Sequence, residues 1–205
     1  DGAAAEAEIR PLLAAQTRLL GPANPDVLIL RMNLGQAYLF QQRYAEAVAT
    51  LSAVLPELRR QLGPGHRLVQ QTLAARQQAY GSMGRYAEAV ADGRALYAIS
   101  FAGQGLTSFR AIAALSDLAT SECRVPDLAA GVADARKAYA ASRTAFGETA
   151  ALTQGVGVAL AQCLIEAGDE AGAAPLLADV DRKAVGDLAS DPHWGANVEL
   201  AQAEI

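Results

Sequence analysis

The hexapeptide Arg-Tyr-Ala-Glu-Ala-Val occurs twice in the chain, at residues 43–48 and at residues 85–90, 42 residues later and without a mismatch. A fixed period of this size is typical of solenoid proteins, in which similar supersecondary units stack on one another. With 205 residues, the chain has room for about five such units. The repeat therefore predicts a stack of similar units as the architecture of this chain.

The composition favours helices as the elements of each unit. Hydrophobic residues make up 52% of the chain but aromatic residues only 5%, and alanine, the best helix former, is abundant. No segment alternates between apolar and polar residues with period two, so we predict no sheet. The net charge is −5 and no basic patch is visible, which disfavours nucleic-acid binding. No apolar run reaches the roughly 18 residues that a membrane span needs.

The 42-residue step extends beyond the hexapeptide. One column of equivalent positions stays small and a second is mostly glycine: these are Ala5, Ala47, Ala89, Gly131 and Ala173, and Gly21, Gly63, Gly105, Gly147 and Ala189. A small residue is expected where two helices cross closely. A glycine that follows a helix can take the left-handed conformation that ends it. A third column, containing Leu34, Leu118 and Leu160, is apolar except at Arg76.

Each period divides into two helices, which we call A and B. In the first full repeat, helix A is predicted at about residues 25–42 and helix B at about 44–62. The predicted organisation is a single array over residues 1–205, with a helix B at 3–20, repeats at 25–62, 66–104, 107–146 and 149–188, and a capping or truncated helix at 192–205. Because the chain has no initiator Met and begins in mid-repeat, we expect a fragment of a longer protein, or else a solenoid with half-repeats as caps.

The residues of the first repeat resemble the tetratricopeptide (TPR) pattern. Helix A contains Asn33-Leu34-Gly35 followed by Tyr38, and helix B contains Tyr44-Ala45-Glu46-Ala47. The usual TPR period is 34 residues; the longer period here, with Asn24-Pro25-Asp26-Val27 and Leu62-Gly63-Pro64-Gly65-His66, resembles the kinesin-light-chain type. The resemblance implies an all-α fold, a right-handed α-α superhelix of antiparallel helix pairs. HEAT or armadillo repeats are the alternative, since their length is compatible.

The resemblance also implies a function, because in TPR arrays the A helices line a concave groove that binds a peptide or protein segment. The polar and aromatic residues that this register places in the groove are Asn33, Gln36, Phe40, Gln71, Gln78, Asp117, Arg124 and Gln162. The same register places Met32, Ser116, Cys123, Val158 and Ala159 on that face. The amides could hydrogen-bond the backbone of an extended peptide, or they could simply be good helix formers on a solvated face.

A carboxylate clamp is disfavoured by the same register. TPR domains that grip a C-terminal carboxylate resemble one another in a cluster of Lys, Arg and Asn. In the predicted groove only Asn33 and Arg124 offer comparable groups, and they lie about two repeats apart.

The sequence offers no pattern of catalysis or cofactor binding. His66 and His193 fall in turns about three repeats apart, so they cannot share a metal ion. Gly155-Val156-Gly157 lies inside a helical segment with no strand before it, which is the wrong context for a phosphate loop. We therefore predict no enzyme, no metal and no cofactor.

Two cysteines leave the redox compartment open. Cys123 and Cys163 are 40 residues apart, two short of one period. Since two residues turn a helix by about 200°, we expect the thiols to point to different sides and to remain free.

Three functions fit the array. The first is a protein-interaction module within a larger bacterial signalling or transcription-regulatory protein, and the second is a ligand- or peptide-sensing domain that controls an attached effector. The third is a self-assembly scaffold that forms homo-oligomers through its terminal helices. For the compartment, the bacterial cytoplasm is favoured over the periplasm.

Overall fold

The computed structural model describes residues 2–178. Within this range the chain forms nine α-helices and one short 3-10 segment, Gly105–Thr107, and no strand. The helices are α1 (Gly2–Leu20), α2 (Pro25–Phe40), α3 (Tyr44–Leu62), α4 (Arg67–Ser82), α5 (Tyr86–Gln104), α6 (Phe109–Glu122), α7 (Leu128–Phe146), α8 (Ala151–Glu166) and α9 (Glu170–Ala178). The all-α fold class is confirmed. The helix expected at 192–205, and His193 with it, lie outside the described residues.

The turns between repeats follow from local sequence. Asn24 caps α2, and its side-chain oxygen accepts a hydrogen bond from the backbone N–H of Asp26 at 2.9 Å. Gly63 ends α3 with φ +83° and ψ 158°, and its N–H donates to the carbonyl of Arg59. The positive φ was expected, but this ψ is extended and not left-handed helical. Glycine is the residue that tolerates such a conformation.

The turns between helices A and B explain why one A helix is short. At this turn Gln42, Gly84 and Gly168 have φ of +59°, +71° and +77°. The equivalent position in the third repeat is Pro126, whose ring fixes φ near −65°. Because the tight turn cannot form there, α6 ends at Glu122, two residues earlier than the register of the other A helices.

Contacts divide the chain into two compact units, Asp1–Ile99 and Ser100–Ile205. In the first unit α2 packs against α1, α3 and α4, and α3 also packs against α4. The inner face of α3 places Leu51, Leu55 and Leu58 in the core, each at most 2% exposed. Burying one such side chain stabilises the fold by roughly 1.5–3 kcal/mol.

The second unit is built the same way, with α7 packed between α6 and α8 and with α9 against α8. Its core includes Cys123 at the C-cap of α6 and Cys163 in α8. These two cysteines form a disulfide with their Cα atoms 5.4 Å apart, and the described chain has no free cysteine.

The expectation of two free thiols was wrong, and the stacking geometry explains why. A two-residue offset does place the thiols on opposite sides of equivalent helices. In a stack, however, two equivalent helices meet through opposite sides: α6 contacts α8 through one side, and α8 contacts α6 through the other. The offset therefore points the two sulfur atoms at each other.

Candidate functional site

The A helices of the first unit carry five of the eight predicted groove residues. Asn33 and Gln36 are half-buried on α2, and Gln71 and Gln78 are half-buried on α4. Because α2 and α4 are in direct contact, their exposed sides form one continuous surface. We call this surface, with Phe40 at the end of α2, the A-helix face.

Three of these amides are available for a ligand. The side chains of Asn33, Gln36 and Gln71 make no hydrogen bond to any part of the chain that the structure describes. An amide offers two donor hydrogens and two acceptor lone pairs, so each can bond a peptide backbone in either sense. At its predicted groove positions the A-helix face is therefore uncharged and has unused hydrogen-bonding capacity.

Phe40 gives the A-helix face an apolar end. As the last residue of α2 it is 72% exposed, and its equivalent in the next repeat is Ser82. Exposed aromatic side chains are common anchors at protein interfaces because they remove much apolar area from water on binding.

The remaining three predicted residues lie in the second unit. Asp117 is exposed on α6 and Gln162 is half-buried on α8. Arg124 pairs with Glu166 at 2.7 Å, so its charge is already balanced by a carboxylate one period away. This ion pair argues further against a clamp for a free carboxylate.

Several positions that the register placed on the groove are buried. Met32, Ser116, Cys123 and Val158 are each at most 3% exposed, and Ala159 is 8% exposed. The cause is the direct packing of adjacent A helices, α2 on α4 and α6 on α8. Residues at the edge of the predicted face enter the seam between these helices and cannot reach a ligand.

The first unit contains a buried ion pair that was not predicted from the sequence. Arg76 on α4 donates to both carboxylate oxygens of Asp92 on α5, at 2.7 and 2.6 Å, and to the hydroxyl of Ser52 on α3 at 3.1 Å. The hydrogen bonds to Asp92 raise the pKa of the Arg76 guanidinium. The signal was present in the sequence, since Arg76 is the charged exception in an otherwise apolar column.

The alternative sites have structural explanations. His66 caps α4, where its Nδ1 accepts a hydrogen bond from the backbone N–H of Leu68 at 3.2 Å. Gly155 and Gly157 lie inside α8 and are buried. Among residues 2–178 there is no cluster of three or more potential metal ligands, and no helix in that range is long and apolar enough to cross a membrane.

Several solved protein structures have an arrangement of helices similar to that of this chain. A kinesin-light-chain-type protein of Podosopora anserina with nearly identical TPR-like repeats matches with TM-score 0.74 and 19% identity over 96% of this chain and 84% of that one. A point variant of that protein matches with TM-score 0.77 and 20% identity, covering 84% and 81% of the two chains. The chain has a TPR-like repeat fold.

A third similar structure broadens the range of organisms with this TPR-like fold. BtubC (BKLC) from P. vanneervenii matches with TM-score 0.73 and 15% identity over 94% of this chain and 76% of that one. No protein-family model and no curated protein matches the sequence. At these identities the likeness establishes the TPR-like fold and leaves the ligand to be argued from this chain's own residues.

Proposed function

We propose that the chain is a protein-interaction module that binds an extended peptide segment on the A-helix face. The observation that carries the proposal is the set of three half-buried amides, Asn33, Gln36 and Gln71, with no hydrogen bond inside the described protein. A half-buried amide without a partner gains most from a ligand that brings donors and acceptors. An extended peptide backbone supplies both at regular spacing.

The chemistry of the face limits the ligand class. The A-helix face of the first unit carries no charge at its predicted groove positions, so recognition depends on backbone hydrogen bonds and on an apolar contact with Phe40. We therefore expect a segment with an apolar side chain near Phe40, and no dependence on a free C-terminal carboxylate.

The test starts from a displayed library of random 12-residue peptides selected on the immobilised chain. The most enriched peptide is labelled, and its affinity is measured by fluorescence anisotropy for the wild type and for Asn33→Ala/Gln36→Ala/Gln71→Ala. We expect the triple variant to bind at least tenfold more weakly and to unfold at the same temperature. Equal affinity for the two proteins would contradict the proposal.

Gln70→Ala is the matched control. Gln70 neighbours Gln71 on α4, but its side chain donates to the carbonyl of Gly65 at 2.9 Å, so it is already used within the protein. We expect this substitution to leave peptide affinity unchanged. A loss as large as that of the triple variant would mean that the A-helix face is not the binding surface.

A second candidate function is self-association through α1. On α1, Leu12 is 46% exposed and Leu19 is 81% exposed, whereas Val54, the equivalent of Leu12 on α3, is fully buried. A second copy that covers these leucines would bury apolar area. Light scattering over a dilution series tests this candidate: Leu12→Glu/Leu19→Glu should abolish any concentration-dependent dimer, and a wild type that is monomeric throughout excludes it.

The disulfide bears on the compartment in which the module works. Disulfides persist in oxidising compartments and are rare in the reducing cytosol. The Cys123–Cys163 bond therefore supports the periplasm, or another oxidising compartment, over the bacterial cytoplasm. The measurement is a thiol count on protein alkylated at the moment of cell lysis, and two reactive thiols would overturn this assignment.

A further inference from the structure

A cavity of about 270 Å³, wide open to the surface, lies in the second unit where α7, α8 and α9 meet. Its described lining is mostly apolar and includes Tyr139 on α7, Leu160 and Leu164 on α8, and Leu176 on α9. Arg136 is the charged member among the described residues that line it, and its side chain is 58% exposed. The volume lies below the roughly 300–1,000 Å³ of sites for drug-sized ligands, so it suits a side chain better than a whole small molecule.

The equivalent place in the first unit is filled by the protein itself. Two periods earlier, between α3 and α5 and over α4, Leu160 corresponds to Arg76, Leu176 to Asp92, and Arg136 to Ser52. There the Arg76 side chain bonds Asp92 and Ser52. One fold position therefore holds a long side chain with a charged end in the first unit and a cavity in the second.

The residues around the cavity define what would complement it. Because Leu160 and Leu176 replace Arg76 and Asp92, an apolar group is the one that would pack best inside this cavity. The charge at the entrance differs as well, since Arg136 stands where the first unit has a neutral serine. Among residues 2–178, Arg136 has one ion-pair partner, Asp169 at 3.6 Å, and both side chains are about half exposed. A surface pair of this kind contributes little to stability.

We propose that this cavity binds an aliphatic side chain of a partner protein that has an aspartate or glutamate beside it. The aliphatic group packs on Leu160, Leu164 and Tyr139, and the neighbouring carboxylate pairs with Arg136. A guanidinium can hold a carboxylate through two parallel hydrogen bonds, which orients the segment at the entrance. This site belongs to the second unit and shares no residue with the A-helix face of the first, so each can be tested without altering the other.

Two variants test the site from opposite directions. Leu160→Arg/Leu176→Asp rebuilds the ion pair of the first unit and fills the cavity from within. Arg136→Glu leaves the cavity empty and reverses the charge at its entrance. Because Arg136 is mostly exposed, this second variant tests the proposal even if the first fails to fold; circular dichroism and the unfolding temperature check both.

The probe is the same kind of random 12-residue peptide library, first depleted on the filled variant and then selected on the wild type. We expect enriched sequences to pair Leu, Ile or Val with Asp or Glu, and a synthetic peptide of that sequence to lose at least tenfold in affinity for either variant. Replacing its acidic residue by lysine should restore binding to Arg136→Glu. Asn33→Ala/Gln36→Ala/Gln71→Ala should bind this peptide as the wild type does.

Two outcomes would contradict the proposed binding at the cavity. If no aliphatic–acidic sequence is enriched, or if the enriched peptide binds the filled variant and Arg136→Glu as tightly as the wild type, the proposal is wrong. If the affinity of the peptide falls only for Asn33→Ala/Gln36→Ala/Gln71→Ala, the cavity is excluded as its binding site. In that case only the function proposed for the A-helix face remains.

Discussion

Gly131 lies where α7 passes the end of α6, and the space around it admits no side chain. A Cβ atom at this position would stand 2.6 Å from the sulfur of Cys123 and 2.7 Å from its backbone nitrogen. Because a backbone atom cannot swing away, we expect Gly131→Ala to lower the free energy of unfolding by about 1–3 kcal/mol, the usual cost of overpacking. Urea denaturation followed by circular dichroism measures the change.

Gly81→Ala is the control for this substitution. Gly81 also lies in a helix, α4, but a Cβ atom there meets nothing within 4 Å. Since alanine is the better helix former, this variant should be unchanged or more stable by up to roughly 1 kcal/mol. If Gly131→Ala is as stable as Gly81→Ala, α6 and α7 cross at a larger separation than the distances of 2.6 and 2.7 Å at Gly131 indicate.

The sequence predicted a small residue at position 131 but could not say why it is glycine where other repeats have alanine. The reason lies in Cys123 at the C-cap of α6, whose sulfur and backbone nitrogen both lie against Gly131. These contacts depend on three-dimensional packing. The disulfide was missed for a related reason, because its prediction required the relation between neighbouring helices and not the register alone.

At the scale of elements, the ion pair between Arg76 and Asp92 joins α4 to α5. Their side chains are 17% and 7% exposed, so removing one partner leaves a mostly buried charge. We expect Arg76→Leu to cost roughly 3 kcal/mol, at the low end of the range for buried pairs. Chemical denaturation of the variant gives this number.

The double variant Arg76→Leu/Asp92→Leu copies the residues of the cavity in the second unit. Replacing both charges by apolar groups is often neutral, so the double variant should recover most of the stability that Arg76→Leu loses. A double variant that is less stable than Arg76→Leu would show that the interaction between Arg76 and Asp92 itself stabilises the fold. The unpaired charge of Asp92 would then not explain the loss of stability in Arg76→Leu.

Glu6 holds α1 to the first A–B turn. Its Oε2 accepts hydrogen bonds from Gln41 at 2.9 Å and from Arg43 at 2.6 Å. The hydrogen bond from Gln41 is the largest cause that lowers the pKa of Glu6 from 4.5, followed by the bond from Arg10. A carboxylate whose folded pKa is lowered stabilises the fold above its unfolded pKa and loses that contribution as the pH falls through the folded value.

We therefore expect the unfolding temperature to fall as the pH is lowered below about 4.5, with part of the fall due to Glu6. In Glu6→Gln that part is absent, so the variant should be less stable than the wild type at about pH 7 and the two should converge at lower pH. Thermal unfolding followed at a series of pH values measures both curves. Parallel curves would mean that Glu6 does not link α1 to the turn.

At the scale of the whole molecule, the fold could be predicted from the sequence, but the residues that line the A-helix face could be predicted only in part. The 42-residue period and the TPR residues of the first repeat identified an all-α repeat fold, which the similar solved structures bear out. The site is harder because each A helix has both a seam with its neighbour and an open face. Met32 and Asn33 are adjacent in sequence, yet Met32 is buried and Asn33 is half-buried.

The disulfide should stabilise only part of the array. In repeat proteins, stability is approximately a sum of terms from each repeat and from its contacts with neighbours. Cys123 and Cys163 both belong to the second unit and close a loop of 40 residues. The loop-closure entropy of such a cross-link corresponds to about 4 kcal/mol, and this stabilisation applies to α6, α7 and α8.

Hydrogen exchange with mass spectrometry tests this prediction on oxidised protein and on protein that has been reduced and alkylated. We expect amides of α6, α7 and α8 to lose protection on reduction and amides of α2 and α3 to keep theirs. Cys123→Ser/Cys163→Ser should exchange like the reduced protein and should not respond to reductant. An equal loss of protection in both units would mean that the array unfolds as one cooperative block, so that a cross-link in one unit stabilises the other.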